Sequence, residues 1–194
     1  MNKVTAAILA GGKSSRFGRD KSLLTLDGAT LTERAVKNLS PLFDEILIVS
    51  NASDKFHLPG SREIGDVYPN TGPLGGIHSA LVHSRNEAVF VMACDMPHFD
   101  AALCQRLVDL SAGYDAFVPR AGDEFEPLFA VYRKSALPAM EALLQSGRYK
   151  VRGLFEHVKT GFLPLAARQD GEDPFYNINF PSDYEALQKS PKGD

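Results

Sequence analysis

The chain has 194 residues, 44% of them hydrophobic, enough to bury one sizeable core, and its formal net charge is −3. With no long block of like charge, the footprint of a nucleic-acid binder is missing, so any anionic ligand must be met by local clusters. No apolar stretch approaches the roughly 20 residues of a membrane span, and the first strand begins too early for a secretory signal, so a cytoplasmic protein without nucleic-acid or membrane partners is expected.

The first predicted strand, Val4–Ala10, runs into Leu9-Ala10-Gly11-Gly12-Lys13-Ser14-Ser15-Arg16-Phe17-Gly18-Arg19-Asp20-Lys21. Glycines there let backbone N–H groups approach an anion closely, and Arg16 and Lys21 supply full positive charge beside them. The loop fits neither the Walker pattern nor the dinucleotide fingerprint, because Gly18 is followed by Arg19-Asp20 and the glycine spacing is wrong for Gly-x-Gly-x-x-Gly. A surface turn would explain the glycines but not cations spread along so long a loop.

Further strands are expected at Glu45–Ser50, Arg62–Ile64, Ala88–Ala93, Asp115–Pro119, Leu128–Tyr132 and Thr160–Pro164. Several are continuous apolar runs of the kind covered on both faces. Helices alternate with them. Thr30-Leu31-Thr32-Glu33 reads as a capping box, Asp100 as the cap of Ala101–Leu110, Ser135 as the start of Ala136–Gln145, and Ser182 with Glu185 as the opening of the last helix; Gly75-Gly76 opens a helix at Ile77. This alternation predicts a three-layer, Rossmann-like α/β fold with a mostly parallel sheet, read as a single domain over 1–188 with a flexible tail at 189–194.

In such sheets ligands gather beyond the carboxyl ends of strands. Three segments rich in turn residues are expected there: Asp66 to Gly76, Cys94 to Pro97, and Arg120 to Glu126. The run Ala88–Ala93 delivers Asp95 to that edge, a hard oxygen ligand suited to Mg²⁺ shared with phosphate oxygens; a helix-cap role for it is weakened because Asp100 already serves the next helix. Asp66 reads equally as a solvated loop acid or a ribose or metal contact. Glu126 stands at the mouth of another buried strand, Arg148, Lys150 and Arg152 group three cations within five residues, and Asn177 and Asn179 offer two amides. Each of these also has a plain structural explanation.

Cys94 and Cys104 have no partner pair and read as reduced thiols, and His78 and His83 are not at a same-face ligand spacing. There is no Gly-x-Ser-x-Gly and no Cys or Ser with an evident His partner. Covalent catalysis is therefore disfavoured, and direct transfer of a nucleotidyl group by backbone N–H groups, Arg, Lys and one Mg²⁺ is the chemistry that remains.

Taken in order, Leu9-Ala10-Gly11-Gly12-x-Ser14-x-Arg16-x-Gly18-x-Asp20-Lys21, Gly72-Pro73-Leu74-x-Gly76, Cys94-Asp95-x-Pro97, Glu126-Pro127-Leu128 and Asn177-x-Asn179-x-Pro181 resemble the molybdenum cofactor guanylyltransferases, over roughly residues 4 to 188. The resemblance implies a nucleotide-diphospho-sugar transferase type of fold. It implies transfer of GMP from Mg-GTP to the phosphate of the molybdenum-bearing pterin, and transient contact with the molybdoenzymes that receive the product. It places Leu9, Ala10, Gly11, Gly12, Lys21, Asn51, Asp66, Gly75 and Asp95 on GTP, Asp95 on the metal, and Arg16, Lys21 and Asp95 at the chemistry. Glu126, Arg148, Lys150, Asn177 and Asn179 fall on the acceptor side. Phe17, Gly75 and Phe180 depart from the family pattern, which more often has Met, Ala and Thr; the last removes a hydroxyl near the acceptor. The rival readings are a cytidylyltransferase on the same pterin, a sugar-phosphate nucleotidyltransferase, and a non-catalytic nucleotide-binding regulator.

Overall fold

The computed structural model describes residues 4–11, 21–51, 55–165 and 175–189. Strand β1 (Val4–Leu9) is followed, after a 3-10 turn at Lys21–Leu23, by the small hairpin β2 (Thr25–Leu26) and β3 (Ala29–Thr30), then α1 (Leu31–Leu39), β4 (Ile46–Val49) and β5 (Arg62–Ile64). Next come α2 (Gly72–His83), β6 (Ala88–Ala93), α3 (Ala101–Leu110), β7 (Ala116–Ala121), β8 (Glu124–Phe125) and β9 (Phe129–Arg133). The remainder is α4 (Leu137–Gln145), a 3-10 segment at Val151–Glu156, β10 (Thr160–Pro164) and α5 (Pro181–Lys189).

The main sheet runs β5-β4-β1-β6-β9-β7-β10, with β8 paired to β7. β1 is parallel to both neighbours, Ala7 lying opposite Leu47 on one side and Val91 on the other. Its successor β4 goes to one side and β6 to the other, so the carboxyl ends of β1 and β6 flank a topological switch point.

Strand side chains alternate between faces, which divides the core in two. Ala6, Ile8, Ile48, Phe90 and Met92 pack with Ala35 and Leu39 of α1 and Leu107 of α3. Ala7, Leu47, Val49, Val89 and Val91 pack with Leu74 and Ile77 of α2 and Met140 and Leu144 of α4. This two-sided burial explains why β1, β4 and β6 lack polar alternation. A third, smaller cluster joins Leu24, Leu26 and Leu31 to Ile178, with Tyr184 and Leu187 of α5 against it.

The Thr30 capping box forms, with the Thr30 hydroxyl accepting from Glu33 N, and Asp100 caps α3 by accepting from Leu103 N. Elsewhere the structure departs from the sequence reading. β9 is antiparallel to both β6 and β7, so the sheet is mixed although mostly parallel. α2 starts at Gly72 rather than Ile77, with Pro73 in its first turn, a position that wants no backbone N–H. α4 opens through a 3-10 turn without a Ser135 cap; the Ser135 hydroxyl instead donates to Asp115. At α5 the capping acid is Asp183, which accepts from Asn179 N and Phe180 N at 2.8 Å each. Two hairpins were not anticipated. One turns on Asp27-Gly28, both at positive φ, the strongest short-range hairpin signal; the other converts Arg120–Glu126 from an open loop into the β7–β8 ribbon.

Candidate active site

The carboxyl ends of β1 and β6 are tied together, because Cys94 N donates to Leu9 O at 3.2 Å, and Ala10 N donates to Val49 O at 2.9 Å. The backbone at 9–11 is thereby fixed between its neighbours at the point where the chain leaves the sheet. A cavity of about 450 Å³ opens there, within the range of small-molecule sites. Leu9, Ala10, Gly11, Lys21, Asn51, Asp66 and Asp95 all line it.

Asp95 and Lys21 meet at the cavity, Nζ to Oδ2 at 3.1 Å, both side chains about one-fifth exposed. Lys21 Nζ also lies 3.4 Å from Asn179 Oδ1. Ile178 N donates to the Asp95 carbonyl at 3.0 Å, so the segment before α5 is anchored to the turn after β6. Asn51 packs against Gly11, where an added Cβ would lie only 3.3 Å from Asn51 Nδ2.

Asp66 differs. Its Oδ1 is buried without a hydrogen-bond partner among the described residues, and burial raises its carboxyl above the ordinary range. A desolvated acceptor facing a cavity wants a donor, which N–H or O–H groups of a ligand would provide.

The N-terminus of α2 completes the wall through Gly72, Pro73 and Gly76. The Thr71 hydroxyl makes no bond to the helix; it donates to Tyr68 O at 2.6 Å. The first turn therefore presents its positive end to the cavity uncapped by a side chain, a favourable wall for an anion. Gly75 does not line the cavity. It lies under the Thr71 turn, where a Cβ would come within 2.0 Å of Thr71 Oγ1 and 2.9 Å of Tyr68 O, so its role there is close packing.

Among the residues expected on the acceptor side, Asn179 touches Lys21, while Asn177 turns its amide to Phe175 O at 3.1 Å. Glu126 leads into β9, its N–H donating to Pro119 O at 3.1 Å. Arg148 and Lys150 are exposed in the turn after α4. None of these five lines the cavity. Gly12 and Arg16 lie outside the described residues. Ser22, Asn70 and Cys94 line the cavity without having been singled out as ligand contacts. For Asn70 the Asn-Thr-Gly turn was the available signal, since it adopts positive φ.

A mostly parallel sheet between two helical layers, with a lysine and a carboxylate meeting above its switch point, is the arrangement of the nucleotidyltransferase-type enzymes that this chain matches. The MobA-like NTP transferase domain matches residues 6–161, and the chain belongs to that family. It is 38% identical to a probable molybdenum cofactor guanylyltransferase of Carboxydothermus hydrogenoformans, covering 97% of each chain. It is 32% identical to the molybdenum cofactor guanylyltransferase of Vibrio campbellii, covering 91% of this chain and 90% of that one. The crystal structure of molybdopterin-guanine dinucleotide biosynthesis protein A from Archaeoglobus fulgidus superposes with a TM-score of 0.79 at 27% identity, covering 95% of this chain and 97% of that one.

Proposed function

We propose that the protein is a molybdenum cofactor guanylyltransferase, joining GMP from GTP to the phosphate of a molybdenum-bearing pterin and releasing pyrophosphate. The observation that carries this reading is the convergence of Lys21 and Asp95 at the cavity lined by the backbone of residues 9–11. Family membership and the similarity to guanylyltransferases over nearly the whole chain support it.

Residues 9–11 and Asn51 receive the guanosine, with Asp66 accepting from its N–H or O–H groups. The triphosphate runs toward Lys21, whose ammonium takes up charge on the leaving pyrophosphate, with Arg16 assigned the same task. The acceptor's phosphate oxygen attacks the α-phosphorus in line. No general base is needed, because a phosphate monoester with its second pKa at about 6 is already largely anionic at neutral pH. Positioning and charge stabilisation are the enzyme's work.

The donor set fits a hard divalent cation. Asp95 is a carboxylate open to the cavity and already faces a positive charge, the Lys21 ammonium. Among the described residues no three His, Cys, Asp or Glu side chains converge, so most ligands would come from phosphate and water, as Mg²⁺ prefers. Held by Asp95, Mg²⁺ would act as a Lewis acid on phosphate oxygens. No helix among the described residues is long and apolar enough to cross a membrane, and the reaction suits the cytoplasm, where the product would pass to molybdoenzymes by transient contact.

The test is pyrophosphate release with the molybdenum pterin as acceptor, comparing GTP with CTP. Release with GTP and this pterin is expected. Release with CTP alone would overturn the nucleotide, and release only with a hexose phosphate would overturn the acceptor.

A further inference from the structure

One side-chain cluster at the carboxyl edge of the sheet has no part in the nucleotide cavity. Phe125 of the β7–β8 hairpin, Phe155 and Phe162 form a three-ring group, with centroids 5.0 Å apart for Phe125 and Phe162 and 5.9 Å apart for Phe125 and Phe155. Two guanidinium groups sit on it. Arg152 Cζ is 4.6 Å from the Phe125 centroid, and Arg120 Cζ is 5.4 Å from Phe125 and 5.9 Å from Phe162.

The hairpin turn holds both arginines. Arg120 donates from Nε to Gly122 O at 2.6 Å and pairs through Nη2 with Asp123 Oδ1 at 3.2 Å, while Arg152 Nη2 donates to Asp123 O at 3.5 Å. Both guanidiniums are thus tied to Asp123, Arg120 through its carboxylate and Arg152 through its carbonyl. Glu124, the next acid along the ribbon, faces the other side by strand alternation. Phe162 and Arg152 are exposed while Phe125, Phe155 and Arg120 are half-buried, so the edge of the cluster is open to a ligand.

Position gives the cluster its meaning. Phe125 and Phe155 pack on the same core face as Leu9 and Leu128, which line the nucleotide cavity. β7 lies two strands from β6, roughly 10 Å across the sheet. The cluster and Asp95 therefore lie along the carboxyl ends of one sheet, with β9 between the strands that lead to them. Guanidinium planes and aromatic rings stack on flat heterocycles, and guanidinium adds attraction for negative substituents.

We infer that Arg120, Arg152 and Phe125 form a stacking platform for the flat heterocycle of the acceptor substrate. This rests on the guanylyltransferase reading above. The platform fixes the ring end of the acceptor, and the nucleotide half of the site is independent of it.

The test uses the full chain and a fluorescent pterin bearing a phosphomonoester side chain, titrated by fluorescence quenching, with guanine-nucleotide affinity measured in parallel. Arg152→Gln and Phe125→Leu should each weaken pterin binding about tenfold, the size of a lost aromatic stack. Nucleotide affinity should stay within about twofold, because neither residue reaches that cavity. Phe125→Trp, which keeps a ring, should retain pterin binding, and thermal melts of all variants control for folding. With the molybdenum pterin, the same two losses should appear as raised acceptor KM at near-constant kcat. Unchanged pterin affinity in Arg152→Gln and Phe125→Leu, in an enzyme that transfers GMP to the pterin, would overturn the platform and leave the guanylyltransferase reading intact. Wild-type enzyme that ignores the pterin but guanylylates a sugar phosphate would overturn both.

Discussion

Lys21 and Asp95, 74 positions apart in the chain, are held 3.1 Å apart in the wall of the cavity at the ends of β1 and β6. The ammonium pairs with Oδ2, an oxygen that a cation on Asp95 would compete for. Nucleotide phosphates would draw Lys21 away and release Asp95 to a metal in the same event. Lys21→Met is therefore expected to tighten Mn²⁺ binding to the nucleotide-free enzyme several-fold, read by electron paramagnetic resonance of free Mn²⁺, while weakening GTP and lowering turnover. Asp95→Ala should lose most turnover; an unchanged single-turnover rate at saturating Mg²⁺ would remove the metal from that residue.

Asp66 gives a pH signature. Burial raises its carboxyl in the free protein, whereas N–H or O–H donors from a ligand favour the ionised form. Nucleotide binding should lower its pKa and expel a proton when measured near the raised value. Affinity should fall as pH drops through that value. Calorimetry in buffers of different ionisation enthalpy reads the proton directly. Asp66→Asn should abolish the release and weaken GTP by about tenfold, the scale of one hydrogen bond to a charged group.

The two thiols should part company under alkylation. Cys104 is fully buried, and burial together with the nearby Asp100 pushes its thiol up to about 12, so it should not react in the folded state. Cys94 lines the cavity. Slow labelling of Cys94 by iodoacetamide, blocked by GTP, is the expected pattern in a peptide mass map. Labelling of Cys94 that nucleotide leaves unchanged would place the nucleotide elsewhere.

Stability at low pH should hinge on Glu45, at the other edge of the sheet. Desolvation pushes its carboxyl up, but hydrogen bonds from Thr5 at 2.6 Å, Arg85 N at 2.9 Å and Arg62 at 3.2 Å outweigh that and lower it on balance. A lowered carboxyl stabilises the fold above its unfolded value near 4.5 and ceases to do so as pH falls through the folded value. Glu45→Ala should cost about 1.5–3 kcal/mol in urea unfolding at pH 7, the scale of hydrogen bonds to a charged group, since Arg62 and Arg85 are themselves solvated. The mutant should also lose less stability than wild type as pH is lowered through the folded Glu45 value.

The apolar runs at Val4–Leu9 and Ala88–Ala93 told where the sheet's centre lies, since residues buried on both faces leave no polar alternation. The same property hid the direction of β9: a strand covered on both sides reads alike parallel or antiparallel. The start of α2 was misplaced because glycine weighs against helix, whereas Gly75 is required by the Thr71 turn above it. Cavity residues at strand ends, such as Leu9, Ala10 and Asp95, followed from the pattern and the resemblance together. Ser22 and Asn70 did not, because their placement depends on turns closed by distant contacts, as when Thr32 donates to Ser22 O at 3.0 Å. The Arg120 platform was equally hidden, because the hairpin that builds it read as an open loop.

The reversed strand β9 has an evolutionary corollary. Cavity positions such as Leu9, Ala10 and Asp95 stand at the ends of core strands that cannot lengthen without dislocating the sheet. The β7–β8 ribbon feeding β9 adds only two paired residues at the end of β7, and its tip is held by Arg120 rather than by the central strands. If the acceptor stacks on that ribbon, a change at its tip would alter acceptor choice without touching Leu9, Ala10 or Asp95 in the cavity.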